Sequence, residues 1–145
     1  MPTIYTFNVI GKDLINAGIA SQQIKKILES LGIEKDIIRK ISIALYEGEI
    51  NMVIHANGGQ ITCVFYEDKL LLELRDKGPG IKDVQKCMQP GYSTATEEIR
   101  EMGFGAGMGL YNMQKNSDFL CIDTVVGMGT TITMEIFLEK INESK

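Results

Sequence analysis

Hydrophobic and polar positions recur with two different periods along the chain, and these periods predict its helices and strands. Residues 3–10 are rich in β-branched and aromatic side chains and are predicted to form a strand. An apolar stripe with helical spacing predicts a helix over residues 13–31, ended by Gly32. A second helix is predicted over about 34–56, closed by the Asn-Gly-Gly sequence that follows.

The second half of the chain is predicted to contain two β-hairpins separated by a long loop. Strands over 61–66 and 70–75 flank a short polar turn. Residues 77–106 are rich in glycine and are predicted to form a loop with at most a short helix, which in a compact domain is usually functional. The remaining predicted elements are a helix over about 108–115 and strands over 118–127 and 130–138. This order predicts an α+β fold: a two-layer sandwich in which one mixed or antiparallel sheet carries its helices on one face.

Length and charge limit the classes of function that the chain can have. Its 145 residues correspond to one domain, predicted to span 1–145. A net charge of −4 gives no general attraction to nucleic acid or to acidic membranes, so neither is an expected partner. The N-terminus lacks the pattern of a signal peptide, and no apolar run reaches the roughly 18 residues of a membrane span. We therefore expect a cytoplasmic protein.

Polar residues interrupt the apolar face of the second predicted helix. At 100° per residue, Glu47, Asn51 and His55 form one row, with apolar residues on both sides of it. Burying a carboxylate and an amide is costly unless they are paired, so they either find a structural partner or belong to a site. The residues alone leave these two interpretations equal, and His55 is more often a packed or capping residue. The predicted solvent-facing positions are Lys35, Arg39, Ser42, Tyr46 and Glu49.

Three segments carry glycines where a ligand could approach the backbone. Asp76 ends a predicted strand and precedes Gly78 and Gly80; its carboxylate could accept a hydrogen bond from an exocyclic amine such as that of adenine, although this is also an ordinary turn sequence. Residues 103–110 place four glycines at alternate positions before a helix, which suits phosphate binding or a hinge. They match neither a Walker A loop nor a dinucleotide-binding fingerprint. Thr130 follows a glycine at the start of the last strand.

In this order, the segments resemble the motifs of the GHKL ATPase superfamily. Glu47 and Asn51 look like its N box, and Asp76 with its two glycines looks like the G1 box. The glycines of 103–109 look like the G2 box, and Gly129-Thr130 like the last motif. Any one of these motifs is common, but four in order on the right elements are specific. The resemblance covers about residues 40–138.

The resemblance assigns roles to residues of this chain. It implies that Glu47 is the general base for phosphoryl transfer and that Asn51 holds Mg²⁺ against the phosphates of ATP. Asp76 would bind the adenine amine, and Thr130 would support Asp76 through a water molecule. A flexible ATP lid is implied over about 82–104. The other implied nucleotide contacts are Gly78, Gly80, Ile81, Gly103, Gly105, Ala106, Gly107, Met108 and Gly109.

Within this superfamily, the chain looks most like the bacterial anti-sigma-factor serine/threonine kinases. The similarity includes its size and the E-x-x-x-N-x-x-x-H pattern through His55. It implies transfer of the γ-phosphate of ATP to a serine or threonine of a small anti-anti-sigma-type partner, often by a homodimer that can also hold a sigma factor. Two alternatives stay open: a binding module controlled by ATP or ADP, and a detached histidine-kinase-type ATPase domain that acts with a partner.

Overall fold

The structure, a computed structural model, describes residues 2–87 and 109–138. Over these ranges the predicted order of helices and strands is confirmed. In chain order the elements are β1 (Thr3–Ile10), α1 (Ile19–Ser30), α2 (Lys35–His55), β2 (Gly58–Phe65), β3 (Lys69–Asp76), α3 (Val84–Cys87), α4 (Gly109–Lys115), β4 (Phe119–Val125) and β5 (Gly129–Phe137).

The five strands form one antiparallel sheet in the order β1-β2-β3-β5-β4. Both predicted hairpins, β2–β3 and β4–β5, are present. The central pairing joins β3 to β5, so the last residue of β3, Asp76, lies opposite Thr130 near the start of β5. Two motifs separated by more than fifty positions in the sequence are therefore neighbours at one end of the paired strands β3 and β5.

The core lies between one face of the sheet and the helices. Side chains along β2, β3 and β5 alternate between buried and partly exposed, because successive residues of a strand point to opposite faces. The largest fully buried side chains come from both layers: Ile24, Leu28, Ile33, Ile41, Leu45, Ile61, Leu70, Leu72, Leu74, Met113, Met134 and Ile136. The predicted α+β fold, with helices on one face of the sheet, is confirmed for the described residues. None of the helices in these ranges is both long enough and apolar enough to cross a lipid bilayer.

Helix α1 begins at Ile19, so the predicted start near residue 13 is wrong. The side chain of Asp13 accepts hydrogen bonds from the backbone and the side-chain amide of Asn16, which stabilise a local turn instead of a helix. Gly18 then takes a left-handed conformation with φ of 98°, which a continuous right-handed helix does not allow.

Glu49 was predicted to face solvent, and this prediction is wrong. The residue is only 3% exposed. Its carboxylate accepts hydrogen bonds from the backbone N–H groups of Gly18, Ala20 and Ser21 at 3.0 to 3.2 Å. These are the donors that a helix leaves unpaired at its N-terminus, so α2 caps α1 through a buried carboxylate. Helical periodicity could not reveal this contact because the donors lie about thirty residues away in the sequence.

Candidate active site

A cleft opens between the C-terminal half of α2, the paired ends of β3 and β5, and the loop that follows β3. It encloses about 380 Å³ of space, part of which is open to solvent. Its lining is mixed, with apolar walls and a few polar groups, as is typical of ligand sites. The lining residues are Gly48, Asn51, Met52, His55, Ala56, Leu74, Asp76, Pro79, Gly80, Ile81, Thr130 and Ile132.

Helix α2 supplies the polar row that the sequence predicted. Asn51 and His55 line the cleft, and Glu47 lies one turn before Asn51 on the same row. A Cβ atom placed on Gly109 would be 4.0 Å from both Asn51 Oδ1 and Glu47 Oε1. Gly109 therefore borders the space that both side-chain oxygens face, which is the arrangement expected from the N box and the end of the glycine run.

Close packing of α2 on the sheet depends on Gly48, which lies between Glu47 and the buried Glu49. A Cβ atom at this position would overlap Cδ2 of Leu74, which is itself 2% exposed. Leu74 belongs to β3, two residues before Asp76. Gly48 thus lets the helix lie against β3 and sets the width of the cleft.

Asp76 stands at the opposite wall of the cleft with one carboxylate oxygen already bound. Its Oδ1 accepts from the backbone N–H groups of Gly78 at 2.9 Å and Thr130 at 3.2 Å. Thr130, 5% exposed, therefore supports Asp76 through a direct backbone bond, where the sequence interpretation favoured a water bridge. In the part of the chain that the structure describes, Oδ2 receives no hydrogen bond. One oxygen thus fixes the orientation of the carboxylate and the other is left to accept from a ligand.

The loop after β3 lies so close to its neighbours that side chains would not fit at its glycines. A Cβ atom on Gly78 would come within 2.7 Å of the Cβ of Ala56. Gly80 has φ of 79°, and a Cβ atom there would be 2.6 Å from the carbonyl oxygen of Val125. These two glycines bring the loop against the end of α2 and the end of β4, and they shape this side of the cleft; their contact with adenine stays a prediction.

Two site residues escaped the sequence interpretation. Thr124 Oγ1 accepts from the backbone N–H of Ile81 at 2.9 Å and lies 2.8 Å from Thr130 Oγ1, so it joins the loop to β5. Asn112 Nδ2 donates to Glu47 Oε2 at 2.6 Å. Alternation along β4 gave a weak signal for Thr124, whereas nothing in the local pattern singled out Asn112.

His55 closes the end of the polar row and is held in its neutral form. Burial lowers the pKa of its imidazole, and the nearby positive charge of Lys12 lowers it further. Lys12 adopts φ of 65° and donates from Nζ to the carbonyl oxygen of Ile54 at 2.6 Å, so it caps the C-terminal end of α2. The end of α2 therefore presents an uncharged ring to the cleft at neutral pH.

Part of the predicted phosphate site lies outside the described residues. This applies to Gly103, Gly105, Ala106, Gly107 and Met108, and to residues 88–104 of the predicted lid. Their roles stay predictions. The start of the predicted lid is described, and it contains the short helix α3 that the sequence allowed.

The chain is similar to known proteins in both sequence and fold. The model of the histidine kinase-like ATPase domain family matches residues 12–136. An anti-sigma F factor of Caldanaerobacter subterraneus subsp. tengcongensis is 35% identical over 106 residues, which cover 70% of this chain and 71% of the relative. The serine/threonine-protein kinase RsbT of Bacillus subtilis is 29% identical over 119 residues, which cover 79% of this chain and 84% of that protein.

Among solved structures, the RsbU and RsbW domains of a Mycobacterium tuberculosis protein superpose with a TM-score of 0.62 at 15% sequence identity. The match covers 100% of this chain and 35% of that longer chain. At this identity the likeness concerns the fold alone.

Proposed function

Because the chain belongs to the histidine kinase-like ATPase family, we propose that it is an ATP-dependent kinase that phosphorylates a serine or threonine of a partner protein. Its relatives include proteins named anti-sigma F factor and serine/threonine-protein kinase. The observation that carries the proposal is the placement of Glu47 and Asn51: both direct an oxygen toward Gly109, and Asn51 shares its cleft with Asp76.

Asp76 is the group that selects the base. Its Oδ1 is occupied by two backbone donors, and its Oδ2 can accept from the exocyclic amine of adenine. A guanine would present a carbonyl oxygen at that position, and two acceptors facing each other repel. The glycines at 78 and 80 allow a flat ring to approach the backbone beside this carboxylate.

Asn51 fits the requirements of a magnesium ligand. Mg²⁺ prefers oxygen donors and is usually held by one or two protein groups together with phosphate oxygens and water. Asn51 presents its Oδ1 to the space beside Gly109, at 4.0 Å from a Cβ atom placed on that glycine. When bound there, Mg²⁺ would neutralise charge on the phosphates; the glycines 103, 105 and 107 are proposed to contact the same phosphates.

Glu47 would act as the general base. The hydroxyl oxygen of the acceptor serine or threonine forms a bond to the γ-phosphorus while the bond from that phosphorus to the β–γ bridging oxygen breaks, and ADP leaves with the bond electrons. Glu47 takes the hydroxyl proton through Oε1, the oxygen nearer to Gly109. Positioning and charge neutralisation supply most of such a reaction, so one well-placed carboxylate suffices.

The partner that we propose is a small anti-anti-sigma-type protein, and a sigma factor is a second ligand of the same kinase. Dimerisation and action in the cytoplasm, where these partners and ATP occur, are part of this proposal. The name anti-sigma F factor among the relatives supports the proposed class of partner.

The test is a transfer assay with Mg-ATP labelled at the γ-phosphate and a purified anti-anti-sigma-type protein, followed by mapping of the modified residue by mass spectrometry. We expect a phosphoserine or phosphothreonine on the partner. Glu47→Ala should reduce transfer by about 10²- to 10⁴-fold, the range typical of a lost general base, and leave ATP affinity unchanged. Glu29→Ala, at an exposed position of α1, is the control and should behave as wild type. Affinity for the partner that depends on nucleotide, without any transfer, would instead support a binding module.

A further inference from the structure

Asn112 lies on α4 and makes a direct contact with the proposed base on α2. Its Nδ2 donates a hydrogen bond of 2.6 Å to Glu47 Oε2, and the contact is partly buried. The two residues are 65 positions apart in the sequence. A short bond from an amide to a carboxylate is among the stronger polar contacts in proteins.

The rotation of α4 about its axis is determined by its buried residues, and this fixes the direction of Asn112. Leu110 is 6% exposed and Met113 is fully buried, with its sulfur close to Gly48. At the end of α4, the side chain of Asn116 donates to the backbone carbonyl oxygen of Asn112 at 2.8 Å. The packing of α4 therefore directs the side-chain amide of Asn112 toward α2.

The hydrogen bond from Asn112 makes the two carboxylate oxygens of Glu47 different from each other. Oε2 of Glu47 accepts the hydrogen bond from Asn112, whereas Oε1 lies toward Gly109. A Cβ atom placed on Gly109 would be 4.0 Å from this Oε1 and 4.0 Å from Asn51 Oδ1. A carboxylate with one oxygen bound cannot rotate freely about its terminal bond. The other oxygen is then held ready to accept a proton from a hydroxyl group.

We propose that Asn112 is a positioning residue of the kinase, which directs Oε1 of Glu47 at the acceptor hydroxyl. This inference rests on the proposed function, since it requires that Glu47 be the base. Asn112 does not touch the substrate and acts through Glu47 alone.

Asn112→Asp separates this role from simple packing because it keeps the shape of the side chain and replaces the donor with an acceptor. We expect kcat for transfer to fall by about 10- to 100-fold, the equivalent of a hydrogen bond to a charged group, and KM for ATP to stay within about twofold of wild type. Gln114→Glu makes the same chemical change at an exposed position of α4 and should leave kcat unchanged. Full activity in Asn112→Asp would overturn the inference.

A double-mutant cycle then asks whether Asn112 acts through Glu47. Asn112→Ala should lower kcat in the wild-type background and have no further effect in a Glu47→Ala background. Independent losses in the two backgrounds would mean that Asn112 affects transfer by another route, and this would overturn the inference.

A measurement without substrate distinguishes a failure of this inference from a failure of the proposed function. In denaturant unfolding, Glu47→Ala and Asn112→Ala should be non-additive, because either change removes the same hydrogen bond. Additive effects would overturn the contact whatever the protein catalyses. Non-additive effects in a protein that transfers no phosphate would overturn the kinase proposal, and with it the catalytic role of Asn112, while the contact would stand.

Discussion

Asp76 and Thr130 lie directly opposite each other on β3 and β5, and the backbone N–H of Thr130 donates to Asp76 Oδ1 at 3.2 Å. The same oxygen accepts from Gly78. Because both bonds involve Oδ1, the side chain is oriented by the backbone of two separate segments. The orientation of the Asp76 carboxylate is therefore fixed by the fold itself.

The first prediction follows from this division between Oδ1 and Oδ2. Asp76→Asn can keep a carbonyl oxygen toward the two backbone donors and then presents an NH₂ group to the cleft. We expect the preference for ATP over GTP to weaken by about 10-fold or more, because a donor replaces the acceptor that faces the adenine amine. Calorimetric titration with both nucleotides measures this ratio. Asp123→Asn, at an exposed position of β4, is the control, and an unchanged ratio in Asp76→Asn would exclude adenine recognition by Asp76.

The second prediction concerns the magnesium ligand. Asn51→Ala removes the oxygen that faces the space beside Gly109. In wild type, Mg²⁺ should strengthen ATP binding, and in the variant this strengthening should be lost because the oxygen proposed to hold the ion has been removed. The measurement is the Kd for ATP with Mg²⁺ and with a chelator. Asn8→Ala, exposed on β1, should retain the wild-type difference; a retained difference in Asn51→Ala would assign the metal to another ligand.

The third prediction concerns the buried carboxylate that joins α1 to α2. Glu49→Ala leaves the N–H groups of Gly18, Ala20 and Ser21 without their acceptor, and each buried unpaired donor costs about 1–3 kcal/mol. We expect the free energy of unfolding to fall by at least about 3 kcal/mol in a denaturant titration.

A matched control for Glu49 exists at the start of α2. The carboxylate of Glu34 accepts from the N–H groups of Asp36 and Ile37, but there solvent can replace it. Glu34→Ala should therefore lower the free energy of unfolding by only about 0.5–2 kcal/mol, the usual range for loss of an N-cap side chain. Equal losses in the two variants would mean that burial of Glu49 contributes nothing to the stability of the fold.

The fourth prediction is a pH dependence that arises from His55, the only histidine of the chain. Burial, followed by the charge of Lys12, lowers the pKa of His55 below its ordinary value of 6.5. Between the lowered native pKa and 6.5, the unfolded chain binds more protons at His55 than the folded chain does. The contribution of neutral His55 to the free energy of unfolding is therefore complete above pH 6.5 and is lost as the pH falls through the native pKa.

Denaturation midpoints measured at pH values from 6.5 downward test the role of His55. The wild-type midpoint should fall with pH more steeply than that of His55→Gln, which has no imidazole to protonate. Identical slopes in the two proteins would show that His55 titrates alike in the folded and unfolded states.

Local patterns were sufficient to predict most elements of the described fold. Periodicity placed α2 within one residue at each end and predicted both hairpins, since these depend on side chains close together in the sequence. The polar row of α2 and the position of Asp76 at a strand end were likewise predictable, because helix geometry and strand ends are local properties. The start of α1 was not predictable, because it depends on the left-handed conformation of Gly18 and on capping by the carboxylate of Glu49, about thirty residues further along the chain.

By itself, the sequence determined the order of elements, the residue types of the site and their family resemblance. Only the tertiary structure decided which oxygen of each carboxylate is hydrogen-bonded within the fold. The direct bond from Thr130 to Asp76, the burial of Glu49 and the contact from Asn112 to Glu47 all join segments far apart in the chain. Such contacts depend on how helices and strands pack, and packing is a property of the whole core that no local repeat encodes.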